Sequence, residues 1–312
     1  MDRVAPRHIA TNPRPRRRRE LKRLALGLSF VSPWLIGFGL FTAYPMLSSL
    51  YYSFTRYDLT AAPQFIGAEN YLTLFAHDPV FVQAVEHTLY FTAASVVIGT
   101  LVALLLARFL YSLTSRLATA LQSVLFLPSV LPLVAGTVLW LWVLNPTYGI
   151  VNRLLALFGI TGPGWFASPN WSVPALVILS AWQVGPWIVI YGAALQAISR
   201  DVYEAAAIDG AGAVRSFLRI TVPLLSPIIL FNVVLNLIGG LQVFTQGFIA
   251  GGTDGAPAGS LLFVGTYIYD QAFVNFNMGY ASAVAWILFV VTGIATVVVT
   301  RTLSRFTYYE SS

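Results

Sequence analysis

The sequence contains no cysteine, a single lysine, three histidines and few charged residues of any kind. Without cysteine, the chain can form no disulfide, ligate no iron–sulfur cluster and use no thiol nucleophile. Charged residues make up 10% of the chain and hydrophobic residues 57%, whereas ordinary soluble domains carry about 25% charged residues. These values argue against a soluble fold and favour a chain that lies mainly in lipid.

The scarcity of lysine and histidine argues against two common kinds of site. A Walker-type phosphate loop needs a lysine after its glycines, but Lys22 follows arginine, glutamate and leucine. The three histidines, His8, His77 and His87, include no pair spaced as i and i+4, so a histidine metal site has no support. We therefore predict no catalytic residue, no metal site and no cofactor bound by this chain itself.

Six apolar segments are each near the roughly 20 residues that cross a bilayer as a helix. Their interiors contain no Asp, Glu, Lys, Arg or His. Because backbone polar groups in lipid must be paired internally, we predict helices, with prolines at kinks or helix ends. The predicted fold class is an all-α integral membrane protein with about six transmembrane helices. The predicted spans are 26–50, 87–108, 118–144, 174–198, 224–249 and 279–300, and the prolines concerned are Pro33, Pro45, Pro128, Pro132 and Pro186.

The positive charges predict the orientation of the chain. Sixteen of the 18 Lys and Arg residues lie in the N-terminal tail, the 108–117 loop, the 199–223 loop and the C-terminal tail. Only Arg56 and Arg153 lie elsewhere, so the positive-inside rule places both termini in the cytoplasm. We expect the basic tail to lie near anionic lipid headgroups rather than to bind nucleic acid. The predicted divisions are a basic N-terminal tail (1–25), a transmembrane domain (26–304) and a C-terminal tail (305–312).

The uncharged spans bear on the energy source. Proton pumps and ion-coupled carriers usually place ionisable residues inside the membrane. None lies in the interior of these spans, which argues against proton coupling, although sodium bound by carbonyls and hydroxyls stays open. If the protein transports a solute uphill, the energy is expected to come from another subunit that contacts the cytoplasmic face.

The 199–223 loop has the pattern of two short helices parallel to the membrane. Asp201 and Glu204 form a D-x-x-E arrangement, in which Asp201 caps a helix and Glu204 reaches back to a free amide. The three alanines after Glu204 form a narrow helix that another surface can approach closely. Gly210 permits the positive φ that ends this helix, and Pro223 and Pro227 suit the start of the next span. The alternative is a loop that only caps its helices and places arginines for topology.

At these residues the sequence resembles the EAA motif of inner-membrane permease subunits of binding-protein-dependent ABC importers. Four further stretches resemble the maltose-transporter-type, carbohydrate-uptake branch: YPMLSSLYYSFTRYDL from Tyr44, FIGAENYLTLF from Phe65, the outer-loop GGTDGAP from Gly251 and FNMGYASA from Phe276. The resemblance covers the chain from about Pro33 to Arg301. The residues that match the EAA motif are Glu204, Ala205, Ala206, Asp209, Gly210, Ala211, Phe217, Ile220, Pro223 and Pro227.

The resemblance implies that the loop is a coupling element that docks in a groove of a cytoplasmic ATPase subunit. It also implies that the chain lies in the bacterial cytoplasmic (inner) membrane and has four kinds of partner. These are a second homologous permease, a dimer of cytoplasmic ATPase subunits that bind ATP and Mg, an extracytoplasmic solute-binding protein, and lipid. The outer loops 51–86, 145–173 and 250–278 are large enough to meet that binding protein. The ATPase-coupling residues that it implies are Glu204, Ala205, Ala206, Asp209, Gly210, Ala211 and Phe217.

Polar uncharged residues in the later spans are the candidates for the solute path. Alternating-access transporters bind solute near mid-membrane, and sugars are bound by amide hydrogen bonds and aromatic faces. The alternative is that these residues bond helices to one another or anchor them at interfaces. The candidates are Trp182, Gln183, Trp187, Tyr191, Asn232, Asn236, Ser282 and Trp286, and the two asparagines share a face with Gly239, Gly240 and Val243.

The absence of charge in the spans also bears on the solute. An anion would favour Arg or Lys along its path, so we expect a neutral saccharide or polyol, with glycerol phosphate left open. The predicted function is inward transport of such a solute, energised by ATP hydrolysis on a separate subunit. The alternative is a self-sufficient carrier or channel in which the polar residues of the later spans form a pore.

Overall fold

A computed structural model describes residues 14–305, and these residues are mostly helical. Residues 1–13 of the predicted N-terminal tail and 306–312 of the predicted C-terminal tail lie outside the described residues. Two short strands, β1 (Thr55–Arg56) and β2 (Gln64–Phe65), pair antiparallel with Thr55 opposite Phe65. The α-helices are α1 (Arg14–Phe38), α2 (Tyr44–Ser53), α3 (Glu69–Ala76), α4 (Pro79–Tyr111), α5 (Ser115–Phe126), α6 (Leu133–Val143), α7 (Ile150–Leu157), α8 (Pro169–Trp182), α9 (Gly185–Ala197), α10 (Arg200–Ile208), α11 (Ala213–Ser216), α12 (Val222–Leu241), α13 (Thr245–Gly251), α14 (Val264–Tyr269) and α15 (Met278–Ser304).

Five shorter helical segments join or follow these helices. Three are π-helical and two are 3₁₀-helical. The π segments are Gly39–Ala43, Phe217–Thr221 and Asp270–Val274, and the 3₁₀ segments are Leu127–Val130 and Trp165–Ala167. The chain divides into two compact units, residues 1–51 and 52–312. In the first unit α1 runs through its π segment into α2, so Pro33 lies inside a continuous helix. Pro45 is the second residue after the π segment. The wider turn of that segment accommodates a residue without an N–H.

The six predicted spans correspond to four continuous helices and two bent pairs, judged by length and apolar composition. The bends lie where prolines predicted them, with Pro128 and Pro132 at the first and Pro186 at the second. The continuous helices are Leu26–Ser53, Pro79–Tyr111, Ala213–Leu241 and Met278–Ser304, and the bent pairs are Ser115–Val130 with Leu133–Val143 (102°) and Pro169–Trp182 with Gly185–Ala197 (47°).

Two predicted spans have wrong boundaries. The second span begins at Pro79 rather than residue 87, because Asp78 caps the helix eight residues earlier. The fifth begins at Ala213 rather than 224 and ends at Leu241 rather than 249. Pro223 and Pro227 do not start it, because the π segment before them lets the helix continue from α11 into α12. The second half of the 199–223 loop thus forms the first turns of the fifth span.

The core of the second unit lies between the second, fourth and fifth spans. Helix α4 contacts α8, α9 and α12 along its length. Where α4 and α12 meet, Gly240 lies against Thr92, and a side chain at position 240 would come within 3.1 Å of the Thr92 backbone. Small residues allow such close approach of membrane helices. This packing places polar residues of three spans around one space, described below.

Asp78 joins three elements at the opposite end of α4 from α10. Its Oδ1 accepts a hydrogen bond from the Phe81 amide (2.9 Å), which caps α4. Its Oδ2 accepts from the Tyr267 hydroxyl (2.5 Å) and the Tyr280 hydroxyl, which tie α14 and α15 to that cap. Burial raises the pKa of Tyr267, and the bond to Asp78 adds to the shift, so this phenol stays a donor throughout the working pH range.

Asp78→Ala is therefore expected to destabilise the second unit. A hydrogen bond to a charged group contributes about 1.5–3 kcal/mol and a helix cap about 1 kcal/mol, so we expect a loss of about 3 kcal/mol. Thermal unfolding of the purified chain checks this. Asp78→Asn, which keeps a cap oxygen, should lose less, and equal unfolding temperatures for Asp78→Ala and wild type would contradict the role of the junction.

Candidate functional site

A polar cavity of about 280 Å³ lies between α4, the α8–α9 bend and α12. Among the predicted solute-path residues, Gln183, Trp187 and Asn236 line it. No charged residue is among its lining residues, which come from the described part of the chain. They are Phe91, Ser95, Gly99, Ser180, Gln183, Val184, Trp187, Leu235, Asn236, Gly239, Gly240, Val243 and Gln246.

The two asparagines of α12 have different positions. Asn232 is fully buried, and its Oδ1 accepts hydrogen bonds from Thr100 Oγ1 (2.9 Å) and from Asn236 Nδ2 (3.1 Å). Asn236 Nδ2 also donates to the Asn232 backbone oxygen (3.0 Å). Asn232 therefore joins the second and fifth spans, whereas Asn236 lines the cavity. Of the two predicted solute-path asparagines, only Asn236 lines the cavity.

The other predicted residues lie outside the cavity lining. Trp182 precedes the bend and packs edge-on against Trp140 at 5.7 Å between ring centroids. Tyr191 is fully buried in the apolar core cluster. Ser282 and Trp286 lie on the sixth span, and Trp286 packs edge-on against Phe289. None of these four residues lines the cavity, and Trp182 and Tyr191 pack against other side chains of the second unit.

The cavity also contains polar residues that the sequence did not single out. Ser95, Ser180 and Gln246 line it, and the Ser95 hydroxyl is buried without a hydrogen-bond partner in the described chain. Ser95 and Gly99 are one turn apart on α4, so a small and polar face on the second span was the available signal. A buried hydroxyl without a partner costs free energy unless a ligand or water satisfies it.

Helix α10 begins and ends with well-defined caps. Ser199, not Asp201, is the N-cap, and its Oγ accepts from the Asp201 amide (3.2 Å). The predicted cap at Asp201 is wrong, because the helix begins at Arg200 and Asp201 is its second residue. Gly210 has φ +75°, as predicted. The Ala211 amide donates to Ala206 O (2.9 Å) and the Gly210 amide to Ala207 O (3.1 Å), which is the Schellman arrangement.

Most of the predicted coupling residues in α10 and just after it are exposed. Glu204, Ala205, Asp209 and Gly210 are exposed, while Ala206 and Ala211 are half-buried. Phe217 lies in the π segment and packs against the apolar core. Ile208, which is not among the predicted coupling residues, has 87% of its surface exposed at the end of α10.

One side-chain hydrogen bond ties α10 to the fifth span. The hydroxyls of Tyr203 and Thr221 share it at 3.0 Å, and Thr221 is fully buried. Because Thr221 belongs to the π segment that continues into α12, this bond connects α10 with the helix that lines the cavity. Neither residue was predicted, since a pair 18 positions apart leaves no local pattern.

A match to a known protein family shows to which group of proteins this chain belongs. Residues 95–307 match the family described as the binding-protein-dependent transport system inner membrane component. The chain belongs to this family. The matched range includes the whole cavity except Phe91, together with α10, its caps and the Tyr203–Thr221 bond. The resemblance seen at the EAA motif is thereby confirmed, and the chain is the permease subunit of an ABC importer.

Three relatives of this permease illustrate the family. It is 37% identical to a probable ABC transporter permease, YesP, of Bacillus subtilis, over 91% of this chain and 92% of that protein. It is 35% identical to the lactose transport permease LacF of Rhizobium radiobacter (84% and 88% covered). It is 32% identical to the sn-glycerol-3-phosphate transport permease UgpA of Escherichia coli (90% and 92% covered). The relatives are named as transport permeases rather than enzymes.

A solved structure has the same fold as this permease. It is a bacterial ABC transporter involved in the import of the acidic polysaccharide alginate, with a TM-score of 0.80 at 25% identity, over 94% of this chain and all of that one. A further structure of an alginate ABC transporter, in complex with a periplasmic protein that holds an alginate pentasaccharide, matches equally well, at 26% identity. These neighbours support the all-α membrane fold and give no support to a self-sufficient carrier or channel.

Proposed function

We propose that this permease carries a neutral saccharide or polyol inward, with the polar cavity as its part of the solute path. The observation that carries the proposal is the chemistry of the cavity wall. Amide, hydroxyl and indole groups from Gln183, Asn236, Ser95 and Trp187 surround the space, and no described residue that lines it is charged. An anion there would lie in a low-dielectric site without a counter-ion, whereas sugar hydroxyls find both donors and acceptors.

The relatives leave the solute as the open part of the proposal. Lactose and the arabinooligosaccharides named for relatives are neutral, while sn-glycerol-3-phosphate is anionic. The absence of charge in this chain's own cavity favours the neutral group. A second homologous permease would complete the path on the open side of the cavity, since a single subunit encloses only about 280 Å³.

We infer that α10 contacts a cytoplasmic ATPase subunit that binds ATP and Mg. Both termini and the 199–223 loop are assigned to the cytoplasm by the arginines at that end of the spans. The exposed apolar Ile208 lies beside the exposed Glu204 and Ala205, so a partner that covered this side of α10 would remove its apolar surface from water. The Tyr203–Thr221 bond then transmits movement of α10 to α12.

Ile208→Asp is expected to weaken binding of the ATPase by about tenfold or more, because burial of an isoleucine contributes about 1.5–3 kcal/mol. The measurement is the amount of ATPase that copurifies with the tagged permease from gently solubilised membranes, together with uptake of radiolabelled lactose, arabinotriose and sn-glycerol-3-phosphate. Leu157→Asp is the matched control, since Leu157 is 79% exposed on α7, in a loop assigned to the outer side.

Loss of the ATPase and of neutral-sugar uptake in Ile208→Asp, with the ATPase retained in Leu157→Asp, is the expected result. Glu204→Lys should behave like Ile208→Asp, because it reverses the charge beside the same contact. A chain that purifies alone in every variant would contradict the ATPase contact. Uptake of sn-glycerol-3-phosphate without uptake of either neutral sugar would contradict the proposed solute class.

A further inference from the structure

A second pocket, of about 410 Å³, lies at the end of the spans opposite α10. It is lined by the β1 strand and the residues after it, by α3, by the N-terminus of α4, and by the segment between α14 and α15. These elements precede the second span and precede the sixth, whereas α10 follows the fourth. Given that each span crosses once, the pocket opens on the outer side. We call it the outer pocket.

The lining of the outer pocket differs from the rest of this apolar chain. Of its fourteen lining residues, only Ile66 lacks a side-chain group that forms hydrogen bonds. Three tyrosines, Tyr57, Tyr267 and Tyr280, contribute ring faces as well as hydroxyls. Its volume lies within the range of roughly 300–1,000 Å³ that is usual for small-molecule sites. No cluster of His, Asp or Glu within residues 14–305 could hold a metal ion, so the polar groups point to an organic ligand.

The walls of the outer pocket are held in place by buried hydrogen bonds. The Asp78 junction with Tyr267 and Tyr280 forms one side. On the other side Asn70, only 8% exposed, donates from Nδ2 to the backbone oxygens of Ser53 and Thr55, both at 2.9 Å. These bonds fix the strand, α3, α4, α14 and α15 around one space before any ligand arrives. A pre-formed pocket loses less free energy on binding than one that must be ordered.

Several polar groups of the outer pocket are left available. The side chains of Tyr57, Thr73 and His77 form no hydrogen bond with any other residue in the 14–305 range, although all three line the pocket. Tyr57 packs against Tyr52 with ring centroids 4.8 Å apart, which holds its ring in place. Hydroxyl and imidazole groups beside a fixed aromatic ring are the groups that bind sugar hydroxyls and the C–H face of a sugar ring.

The charges of the outer pocket select against anions. Arg56 pairs with Glu69 at 3.2 Å, so no arginine or lysine of the lining is left to pair with the carboxylates of Asp58 and Asp78. Hydrogen bonds from the Thr60 side chain and from the Thr60 and Ala61 amides lower the pKa of Asp58, so this group is ionised at neutral pH. A phosphate or carboxylate ligand would be repelled, whereas neutral hydroxyl groups can donate to these oxygens.

We propose that the outer pocket is a binding site for one neutral sugar unit, which the solute occupies before it reaches the cavity between α4, α9 and α12. The proposal rests on the proposed function for the orientation of the chain and for the class of solute. It assigns specificity to this chain's outer segments, in addition to the spans. Tyr57, Thr73 and His77 contact the sugar, and Asp58 and Asp78 keep anions out.

The absence of native cysteine provides a direct test, because an introduced cysteine is the only thiol in the chain. Thr73→Cys and His77→Cys place a thiol in the outer pocket, and Leu157→Cys places one on α7 as the matched control. The tagged full-length chain is purified in lipid nanodiscs, and its rate of reaction with a maleimide is measured with and without millimolar lactose, arabinotriose or sn-glycerol-3-phosphate.

The expected result is that lactose or arabinotriose slows labelling at positions 73 and 77 several-fold, with no effect at 157, and that sn-glycerol-3-phosphate has no effect at any position. Asp58→Lys in the Thr73→Cys background should reverse this preference. Absence of protection by both neutral sugars, or equal protection at 157, would overturn the proposal. Protection that appears only when a solute-binding protein is added would also overturn it and would assign the pocket to protein docking.

This outcome can be separated from the test of the proposed function. If neutral-sugar uptake and the ATPase contact are retained but no sugar protects positions 73 and 77, then only the outer pocket is wrongly assigned. If sn-glycerol-3-phosphate is the solute taken up and the neutral sugars still protect positions 73 and 77, the pocket binds neutral sugar but is not a site on the solute path, so the solute class and that part of the pocket proposal both fail.

Discussion

Gly210→Pro is expected to abolish ATP hydrolysis coupled to transport while leaving the membrane spans folded. Gly210 has φ +75° and donates its amide to Ala207 O at 3.1 Å, which closes the C-terminus of α10. Proline fixes φ near −65° and has no N–H, so both features are lost. The chain would then leave α10 in a different direction, and the exposed side of the helix would no longer face its partner.

Gly212→Pro is the matched control for this prediction. Gly212 has φ −67°, a value that the proline ring already imposes, and it lies outside both α10 and α11. The same ring two residues away should therefore leave coupling largely intact. Gly210→Asn should also retain most activity, because asparagine tolerates the left-handed region better than other side chains.

The measurements are solute-stimulated ATP hydrolysis of the assembled importer, and the thermal unfolding temperature of the permease. Unfolding temperatures near wild type are expected for all three variants, since positions 210 and 212 lie outside the core clusters and the strain at position 210 is confined to the C-terminus of α10. Wild-type ATPase stimulation in Gly210→Pro would defeat the role of α10 in coupling. Equal loss in Gly212→Pro would indicate that the loop is sensitive to any rigid residue.

The sequence predicted those parts of the fold that depend on local composition. The spans could be predicted because a helix that crosses lipid must be long and uncharged. The turn at Gly210 could be predicted because few residues other than glycine adopt a positive φ. The N-terminus of α10 was misplaced by two residues because Ser199 and Asp201 are both good caps, and pattern alone does not choose between them. The start of the fifth span was missed because the π segment 217–221 lets the helix continue through Pro223.

The polar residues of the spans show a different limit. Asn232 and Asn236 lie one turn apart and are chemically identical, so the sequence assigns them the same role. The structure separates them because Thr100, 132 positions earlier, donates to Asn232 and buries it. Ser95 was overlooked for the same reason, since its place in the cavity depends on which face of α4 meets α9 and α12. Such roles follow from helix packing, which no local pattern records.

Gly239→Leu and Gly240→Leu are expected to have different effects, although the two positions are adjacent on α12. Gly239→Leu should affect solute uptake, and Gly240→Leu should affect stability. A side chain at 240 would come within 2.9 Å of Thr92 Cγ2 and 3.1 Å of the Thr92 Cα, so the second and fifth spans must separate. Overpacking of this kind costs about 1–3 kcal/mol. A side chain at 239 would meet nothing within 4 Å and would extend into the cavity.

Gly240→Leu should therefore lower the thermal unfolding temperature and, through it, the amount of permease in the membrane. Gly239→Leu should unfold like wild type and assemble with its partners, yet lose most solute uptake, because its side chain fills part of a 280 Å³ space. Gly239→Ala and Gly240→Ala provide graded controls, with the smaller side chain expected to give the smaller effect in each case.

Measuring unfolding and uptake on the same purified variants separates packing from the solute path. If Gly239→Leu loses stability as much as Gly240→Leu, then the face at 239 is a packing face and the cavity is not where solute passes. If Gly239→Leu keeps full uptake, the solute takes another route through the assembled importer. Loss of uptake at full stability would place the solute beside Asn236, because residue 239 is the next cavity-lining position toward the C-terminus of α12.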